Sequence, residues 1–200
     1  MHLEPRWTEA ADDPLILFAA WMEDAKQSEP NDPNAVALAT ATPEGIPSVR
    51  MVLMKHVDSR GFAFYTNAES RKGLELADNP RAAMCFHWKS LRRQVRVEGT
   101  IAELPPDEVD RYFHSRSRRS QLGAAASQQS ELLESRGLLE ERVARMAVDF
   151  PNEIPRPEYW RGFVLRPNHI EFWADGSDRL HDRLLFVRDH HHWSKSLLYP

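Results

Sequence analysis

Short apolar segments that end at turn signals occupy two separate parts of the chain, and they limit its fold more than any other feature. They predict a run of strands over 35–102 and three or four more over 160–200. Helical patterns with one apolar face precede the first run, starting at Pro14, and lie between the two runs at 105–115 and 139–150. Strands, then helices, then strands again predict an α+β domain built on a barrel-like antiparallel sheet.

Length and composition suit one domain. The chain has 200 residues, of which 42% are hydrophobic and 28% charged, and we expect a loose N-terminal segment at 1–12 and a single domain over 13–200. The net charge of −4 gives no general case for binding nucleic acid, so any attraction for anions must be local. One cysteine, Cys85, fits a reducing compartment, and no apolar run reaches the length of a membrane span. A cytoplasmic protein without membrane or nucleic-acid partners is therefore expected.

A cationic repeat follows the turn signal Asp175-Gly176. Arg179, His181 and Arg183 occupy every second position, so on a strand they would share one face. Such a face suits an anionic ligand, with His181 able to titrate near neutral pH. An exposed strand face that is merely charged explains the spacing equally well.

Two other segments combine basic and hydroxyl side chains. Arg50 and Lys55 are an odd number of residues apart, which on an ideal strand means opposite faces. Either two ligands are involved, or the strand is bulged, or its cationic ends simply face solvent. At 65–72 a strand enters a helix whose free N–H groups attract anions, and Arg71 and Lys72 add charge there.

A third set, Tyr112, Arg116 and Ser120, has a spacing of four residues. If one helix persists through it, the three share a face that suits a phosphate ester; a solvated basic face is the alternative. The amides and hydroxyl of 128–130 are a weaker signal. The three histidines at 190–192 lack a Cys or carboxylate pattern that would complete a ligand set, so no metal is expected.

Taken in order, these segments resemble the pyridoxine/pyridoxamine 5′-phosphate oxidase family. The resemblance covers roughly residues 13 to 200 and is carried by 50–56, 64–67, 70–72, 93–95, 112–124, 127–130, 170–173 and 179–183. It implies an antiparallel split β-barrel with flanking helices, which binds FMN at the interface of a homodimer.

The resemblance also implies roles for individual residues. The implied FMN contacts are Arg50, Met51, Val52, Leu53, Met54, Lys55, Tyr65, Thr66, Arg71, Lys72, Gln94, Gln129, Ser130, Trp173 and Arg183. The implied substrate contacts are Lys55, Tyr112, Arg116, Ser120, Arg179 and His181, of which Arg179 and His181 are also the catalytic residues. Arg50 and Lys55 would then serve different ligands.

The implied reaction is the oxidation of pyridoxamine or pyridoxine 5′-phosphate to pyridoxal 5′-phosphate, with O2 as electron acceptor and H2O2 as product. Two alternatives are a split-barrel flavin oxidase of phenazine assembly and a non-catalytic protein that binds FMN or pyridoxal phosphate. Retention of Tyr112, Arg116 and Ser120 argues against the first, and retention of Arg179 and His181 against the second. The chain departs from the family in two ways: residues 1–12 do not show the basic, tyrosine-containing arm that the family often carries, and Leu197 stands where an arginine is usual.

Overall fold

Nine antiparallel strands form one sheet in the computed structural model, which describes residues 7–10, 12–190 and 192–200. The strands are β1 Ala35–Ala41, β2 Pro47–Leu53, β3 His56–Asp58, β4 Gly61–Asn67, β5 Arg81–Trp88, β6 Arg93–Glu103, β7 Trp160–Ala174, β8 Asp182–Asp189 and β9 His192–Leu197. Their order is β2-β1-β5-β6-β7-β4-β3, while β8 pairs with β7 and β9 with β8. The expected α+β class with an antiparallel, barrel-like sheet is confirmed.

Helices flank this sheet. They are α1 Trp7–Ala10, α2 Pro14–Ser28, α3 Arg71–Asp78, α4 Pro106–Ser115, α5 Arg118–Ala126 and α6 Arg136–Asp149. The start of α2 shows why the local sequence is helical: Asp13 caps the helix by accepting a 2.8 Å hydrogen bond from the Leu15 N–H, and Pro14 occupies the first turn.

The main core lies between α2 and the sheet. Phe18 of α2 is fully buried and meets Phe62 and Phe86 edge-on, with ring centroids 4.8 and 5.0 Å apart. A second apolar cluster around Phe113 and Trp160 packs α4 and α5 against the start of β7. That second cluster fixes the helices that line the site described below.

Strand β7 is the longest in the sheet, and it changes partners along its length. Its first part, from Trp160 to Leu165, pairs with β4, whereas its last part, from His169 to Ala174, pairs with β8. The β6–β7 register shifts at Gly99, where a Cβ would lie 2.0 Å from the carbonyl oxygen of Arg166. Because of this arrangement, the sheet curls and the two ends of β7 serve different parts of the molecule.

The N-terminal segment predicted over 1–12 lies partly outside the described residues. Within it, Trp7–Ala10 forms the short α1, and Trp7 packs edge-on against Trp21 at 4.9 Å. In the part of the chain that the structure describes, no helix has the length and apolar character needed to cross a bilayer.

Candidate active site

A cavity of about 840 Å³ opens between the β2 edge of the sheet and helices α3, α4 and α5. Its lining residues come from six separate segments: Ser48, Val49, Arg50, Met51, Val52, Leu53, Lys55, Tyr65, Thr66, Arg71, Lys72, Tyr112, Arg116, Ser117, Ser120, Gln129, Ser130 and Trp160. Most of the residues predicted to bind FMN or the substrate phosphate therefore lie around one space.

Lys72 forms the buried cationic end of this cavity. Its Nζ donates to Thr66 Oγ1 at 3.1 Å, Ser70 Oγ at 3.0 Å and Gln129 Oε1 at 3.0 Å, all neutral oxygens. Burial, together with the charge of Arg50, lowers the pKa of Lys72 to about 8. Lys72 lies in the first turn of α3, where the helix dipole also favours negative charge. An anion at this point would be stabilised both by the Lys72 ammonium and by the positive end of the α3 dipole.

Glu75 lies beneath the two arginines on the same side of the cavity. Its carboxylate accepts from Arg71 Nε at 2.9 Å, from Ser48 Oγ at 2.6 Å and from Arg50 at 3.3 Å, and also bonds Thr40. Burial alone would raise the pKa of this carboxyl, but the hydrogen bonds and the Arg50 charge lower it to about 2. Glu75 thus fixes both guanidiniums where a ligand can reach them.

Three stacked aromatic rings form the opposite wall. Tyr65 stacks on Tyr112 with centroids 4.0 Å apart and on Trp160 at 5.4 Å. Gly162 lies opposite Tyr65 in the β4–β7 register, and a Cβ there would come within 2.8 Å of the Tyr65 ring. The absence of a side chain at Gly162 is what lets the Tyr65 ring lie flat on the sheet.

Arg116 is the second cationic group of the cavity. Its guanidinium carbon lies 5.0 Å from the centroid of Trp160, and its Nη1 is buried without a hydrogen-bond partner among the described residues. Burial lowers the pKa of Arg116 because it removes water from the charged form. Arg116 lines the cavity, and its guanidinium keeps hydrogen-bonding capacity that the described residues do not use and that an anionic ligand could take up.

Tyr112, Arg116 and Ser120 reach the cavity through a break between two helices. The condition for a shared helix face is not met, because α4 ends at Ser115, in agreement with the helical pattern over 105–115, and α5 starts at Arg118. Ser117 caps α5 by accepting from the Ser120 N–H, and Gln121 Nε2 donates to the carbonyl of Arg116 at 2.8 Å. The break turns Arg116 inward while keeping Tyr112 and Ser120 on the cavity wall.

Arg50 and Lys55 both line the cavity despite their odd separation. Strand β2 ends at Leu53, so the alternation of faces does not extend to Lys55, whose N–H donates to the carbonyl of Ala63 at 2.8 Å. Met54, between them, is 5% exposed and packs in the main core instead of lining the cavity.

The remaining predicted residues form a second group at the other end of β7. Gln94, Trp173 and Arg183 occupy directly opposite positions on β6, β7 and β8, and therefore form one row across the sheet. Arg183 Nε donates to Glu171 at 2.9 Å, and the same arginine donates to the carbonyl of Tyr199. Among the described residues, this row does not line the cavity.

His181 and Arg179 stand beside this row but not on a strand. The prediction that Arg179, His181 and Arg183 share a strand face is wrong, since β8 begins only at Asp182 and Ser177–Arg179 form a 3-10 turn. The turn that starts at Asp175-Gly176 is longer than the sequence signal indicates. His181 lies against Trp173, with ring centroids 4.7 Å apart, and Arg179 is exposed.

Four cavity residues were not predicted: Ser48, Val49, Ser117 and Trp160. Ser48 could have been found, because it lies two residues before Arg50 and so shares its strand face. Trp160 carries no local signal, since its place depends on the pairing of β7 with β4.

A metal centre does not emerge from the described side chains, in which no group of three or more His, Cys, Asp or Glu residues is arranged to hold an ion. His191, the middle member of the histidine run, lies outside the described residues.

Comparisons with known proteins agree on one family. Residues 22–148 match the family described as pyridoxamine 5′-phosphate oxidase, and residues 160–200 match the pyridoxine 5′-phosphate oxidase C-terminal dimerisation region. The pyridoxine/pyridoxamine 5′-phosphate oxidase of Gluconobacter oxydans is 57% identical over 94% of each chain. The protein of the same name from Erythrobacter litoralis is 56% identical, covering 94% of this chain and 91% of its own.

Solved structures show the same architecture. PhzG from Burkholderia lata, in complex with tetrahydrophenazine-1-carboxylic acid, superposes with a TM-score of 0.93 at 34% identity, over 99% of this chain and 98% of its own. A pyridoxamine 5′-phosphate oxidase-related, FMN-binding protein from Nostoc punctiforme has a TM-score of 0.76 at 18% identity, over 94% of this chain and 98% of its own, and supports the split-barrel fold alone.

Proposed function

The chain belongs to the pyridoxine/pyridoxamine 5′-phosphate oxidase family and is an enzyme, and from that premise we propose that it oxidises pyridoxamine 5′-phosphate, pyridoxine 5′-phosphate or both to pyridoxal 5′-phosphate. We further propose FMN as cofactor and O2 as the electron acceptor, which is reduced to H2O2. The proposed location is the cytoplasm, in keeping with a single free cysteine.

One observation carries this proposal: the cavity holds two separate cationic groups. The first comprises Lys72 with Arg50 and Arg71, and the second is Arg116, whose Nη1 is buried and unpaired among the described residues. A reaction between a phosphorylated cofactor and a phosphorylated substrate requires two such groups at one site.

The first group fits the phosphate of FMN. Among the described residues Lys72 donates only to neutral oxygens, so none of their carboxylates neutralises its charge by direct contact. The N–H of Arg71 donates to Ser130 Oγ at 3.2 Å, which places a hydroxyl and a helix N-terminus beside the lysine. We propose that these residues, with Thr66 and Gln129, hold the cofactor phosphate.

The second group fits the phosphate of the substrate. Arg116 faces the cavity together with the Tyr112 and Ser120 hydroxyls, and Lys55 Nζ lies 5.9 Å from the centroid of the Tyr112 ring. Fixing the phosphate at this position would orient the pyridine ring and hold C4′ in place for the reaction.

We propose that the second row of residues completes the cavity of a partner subunit. Val49 and Met51 of β2, which line the cavity, are 69% and 63% exposed and form an apolar surface at its edge. Gln94 lies outside the segment that matches the dimerisation region, whereas Trp173 and His181 lie inside it. A homodimer with FMN at its interface would bring Gln94, Trp173, Arg179, His181 and Arg183 of one subunit to the cavity of the other.

Bound FMN would supply the redox chemistry, accepting a hydride from substrate C4′ and passing two electrons and two protons on to O2. The substrate would be bound, and held in position during the reaction, by Arg116, Lys55, Tyr112 and Ser120. Arg179 and His181 would face the C4′ end, where they position the substituent, and His181 would take up the proton that an alcohol or amine loses.

Absorption spectroscopy of the purified protein tests the function. We expect a flavin spectrum that is bleached when pyridoxamine 5′-phosphate is added without O2 and that returns on aeration, with one H2O2 formed per aldehyde. A protein that binds no flavin under any reconstitution contradicts the proposal. A bound flavin that neither vitamer phosphate reduces would favour the phenazine-type oxidase or the non-catalytic alternative.

A further inference from the structure

The turn between β7 and β8 closes tightly on itself. The Leu180 N–H donates to the Ser177 carbonyl at 3.0 Å, and a Cβ at Gly176 would lie 2.1 Å from the Leu180 carbonyl oxygen. Only glycine, which has no Cβ, allows the backbone at 176 to come this close to the Leu180 carbonyl. The closure brings the side chain of Asp175, at the start of the turn, to His181 at its end, with Asp175 Oδ1 3.1 Å from His181 Nδ1.

Asp175 is held in place from its other side. Its N–H donates to the Arg92 carbonyl at 3.0 Å, and its carboxylate forms an ion pair with the Arg92 guanidinium. The side chains of Asp175 and His181 are 16% and 22% exposed, so both groups have limited freedom. The β5–β6 turn therefore fixes the carboxylate that faces the imidazole.

Two groups compete for the same nitrogen of His181. Asp175 can only accept a hydrogen bond from Nδ1, whereas the Gly176 N–H, 3.2 Å away, can only donate to it. One ring nitrogen cannot serve both partners at once. The Gly176 contact is the one that has hydrogen-bond geometry, while the Asp175 carboxylate lies at ion-pair distance; a hydrogen bond to an ionised carboxylate would be the stronger of the two and would favour a proton on Nδ1.

We propose that Asp175 is a positioning residue for His181, which keeps a proton on Nδ1 and leaves the lone pair of Nε2 free for the substrate. This inference rests on the proposed function. As the C4′–H bond breaks and its hydride passes to the FMN that the site would hold, the O–H or N–H bond of the substituent breaks and its proton moves to Nε2. The alcohol would give the aldehyde directly, and the amine would give an imine that water hydrolyses. The imidazolium that forms is stabilised by the Asp175 carboxylate.

Three variants of the FMN-loaded enzyme separate this role from a merely structural one. Asp175→Ala removes the acceptor, Asp175→Asn keeps a neutral amide of the same shape, and Asp178→Asn removes an equal charge from the same turn as a matched control. The first readout is the ¹⁵N chemical shift of the His181 ring nitrogens, assigned by comparison with His181→Gln. The second is the rate constant of anaerobic flavin reduction, measured against substrate concentration.

We expect the wild-type ring to carry its proton on Nδ1 and Asp175→Ala to shift it toward Nε2. The limiting reduction rate of Asp175→Ala should fall about tenfold or more, with the half-saturating substrate concentration changed less than about threefold. Asp175→Asn should lie between Asp175→Ala and wild type, and Asp178→Asn should match wild type in both readouts.

Unchanged His181 shifts in Asp175→Ala would overturn the inference, as would a loss of rate that Asp178→Asn shares. Failure of the proposed function looks different: the wild-type flavin would not be reduced at all, while the ¹⁵N shifts would still report whether Asp175 sets the tautomer.

Discussion

Trp160 and Trp173 stand at the two ends of β7, and only Trp160 is among the described residues that line the cavity. Twelve residues of extended strand lie between them, which corresponds to roughly 40 Å along the strand. Trp160 stacks near Tyr65 and Arg116, whereas Trp173 contacts His181. One strand thus connects two groups of site residues, and a second subunit is the simplest way to bring such groups together.

Replacing Arg116 with alanine should mainly weaken substrate binding. Its buried Nη1 has no partner among the described residues, so we expect the phosphate to supply one. Loss of one charged hydrogen bond costs about 1.5–3 kcal/mol, or roughly a 10- to 100-fold rise in KM with kcat little changed. Steady-state kinetics checks this, with Arg111→Ala as the control, since Arg111 is an exposed residue of α4 that pairs with Asp107. A large fall in kcat at unchanged KM would contradict the assignment.

Arg179→Ala should lower kcat as well as raise KM, because we place Arg179 at the reacting end of the substrate. The reduction step, followed by the absorbance of the flavin without O2, should slow about tenfold or more. Arg188→Ala, which removes a cation from β8, serves as the control. Small and equal effects of Arg116→Ala and Arg179→Ala would show that the two arginines do not divide the roles.

The affinity of the apoprotein for FMN should fall at alkaline pH. Burial lowers the pKa of Lys72 from 10.5 to about 8, so the ammonium that a phosphate needs is lost as the pH rises through that value. We expect the Kd for FMN to rise about tenfold between pH 7 and 9. Quenching of flavin fluorescence measures the Kd, riboflavin, which has no phosphate, being the control ligand.

The same variation with pH should disappear in Lys72→Gln, which should bind FMN more weakly at every pH. The lowered pKa also means that the empty protein gains stability between pH 8 and 10.5, where the unfolded chain still holds the proton that the folded one has lost. A Kd that rises equally for FMN and riboflavin would point to unfolding and not to Lys72.

Glu75→Gln should destabilise the protein at neutral pH by about 1–3 kcal/mol, because the carboxylate accepts hydrogen bonds from Arg71 and Ser48 in a buried position. Its pKa falls from 4.5 to about 2 on folding, so this contribution is present above pH 4.5 and is lost as the pH falls toward 2. Urea unfolding at pH 7 and at pH 3.5 should therefore show a gap between wild type and variant that narrows in acid. Glu23→Gln, at an exposed site, should show no such gap.

The sequence predicted which residues line the cavity more accurately than it predicted the helices and turns that hold them. The basic and hydroxyl residues near Arg50, Lys72 and Tyr112 stand in short segments whose order was informative, and they do line one space. The end of α4 agrees with the pattern over 105–115, whereas α5 was not predicted, although Ser117 is a typical capping residue. This capping signal is local, so the sequence could have predicted the start of α5 from it.

Other features depend on contacts between distant segments and could not be predicted. The stacking of Tyr65 on Trp160 follows from the β4–β7 register, and Asp175 meets His181 only because the turn is longer than the Asp175-Gly176 signal indicates. The separation of the two residue groups likewise follows from the path of β7, since sequence patterns locate strands but not their ends in space.

Mixed dimers of two impaired variants test most directly whether each site is built from two subunits. Arg116→Ala lies in the cavity and Arg179→Ala in the second group, and each variant alone should have little activity at substrate concentrations far below KM. If the subunits share sites, a mixed dimer has one site with both defects and one site with neither. In an equal mixture with free exchange about half of the dimers are mixed, so about a quarter of wild-type activity should be recovered. Co-expression with two affinity tags would isolate the mixed dimer. A mixed dimer no more active than its parents would contradict the shared site, because both groups would then act within one subunit.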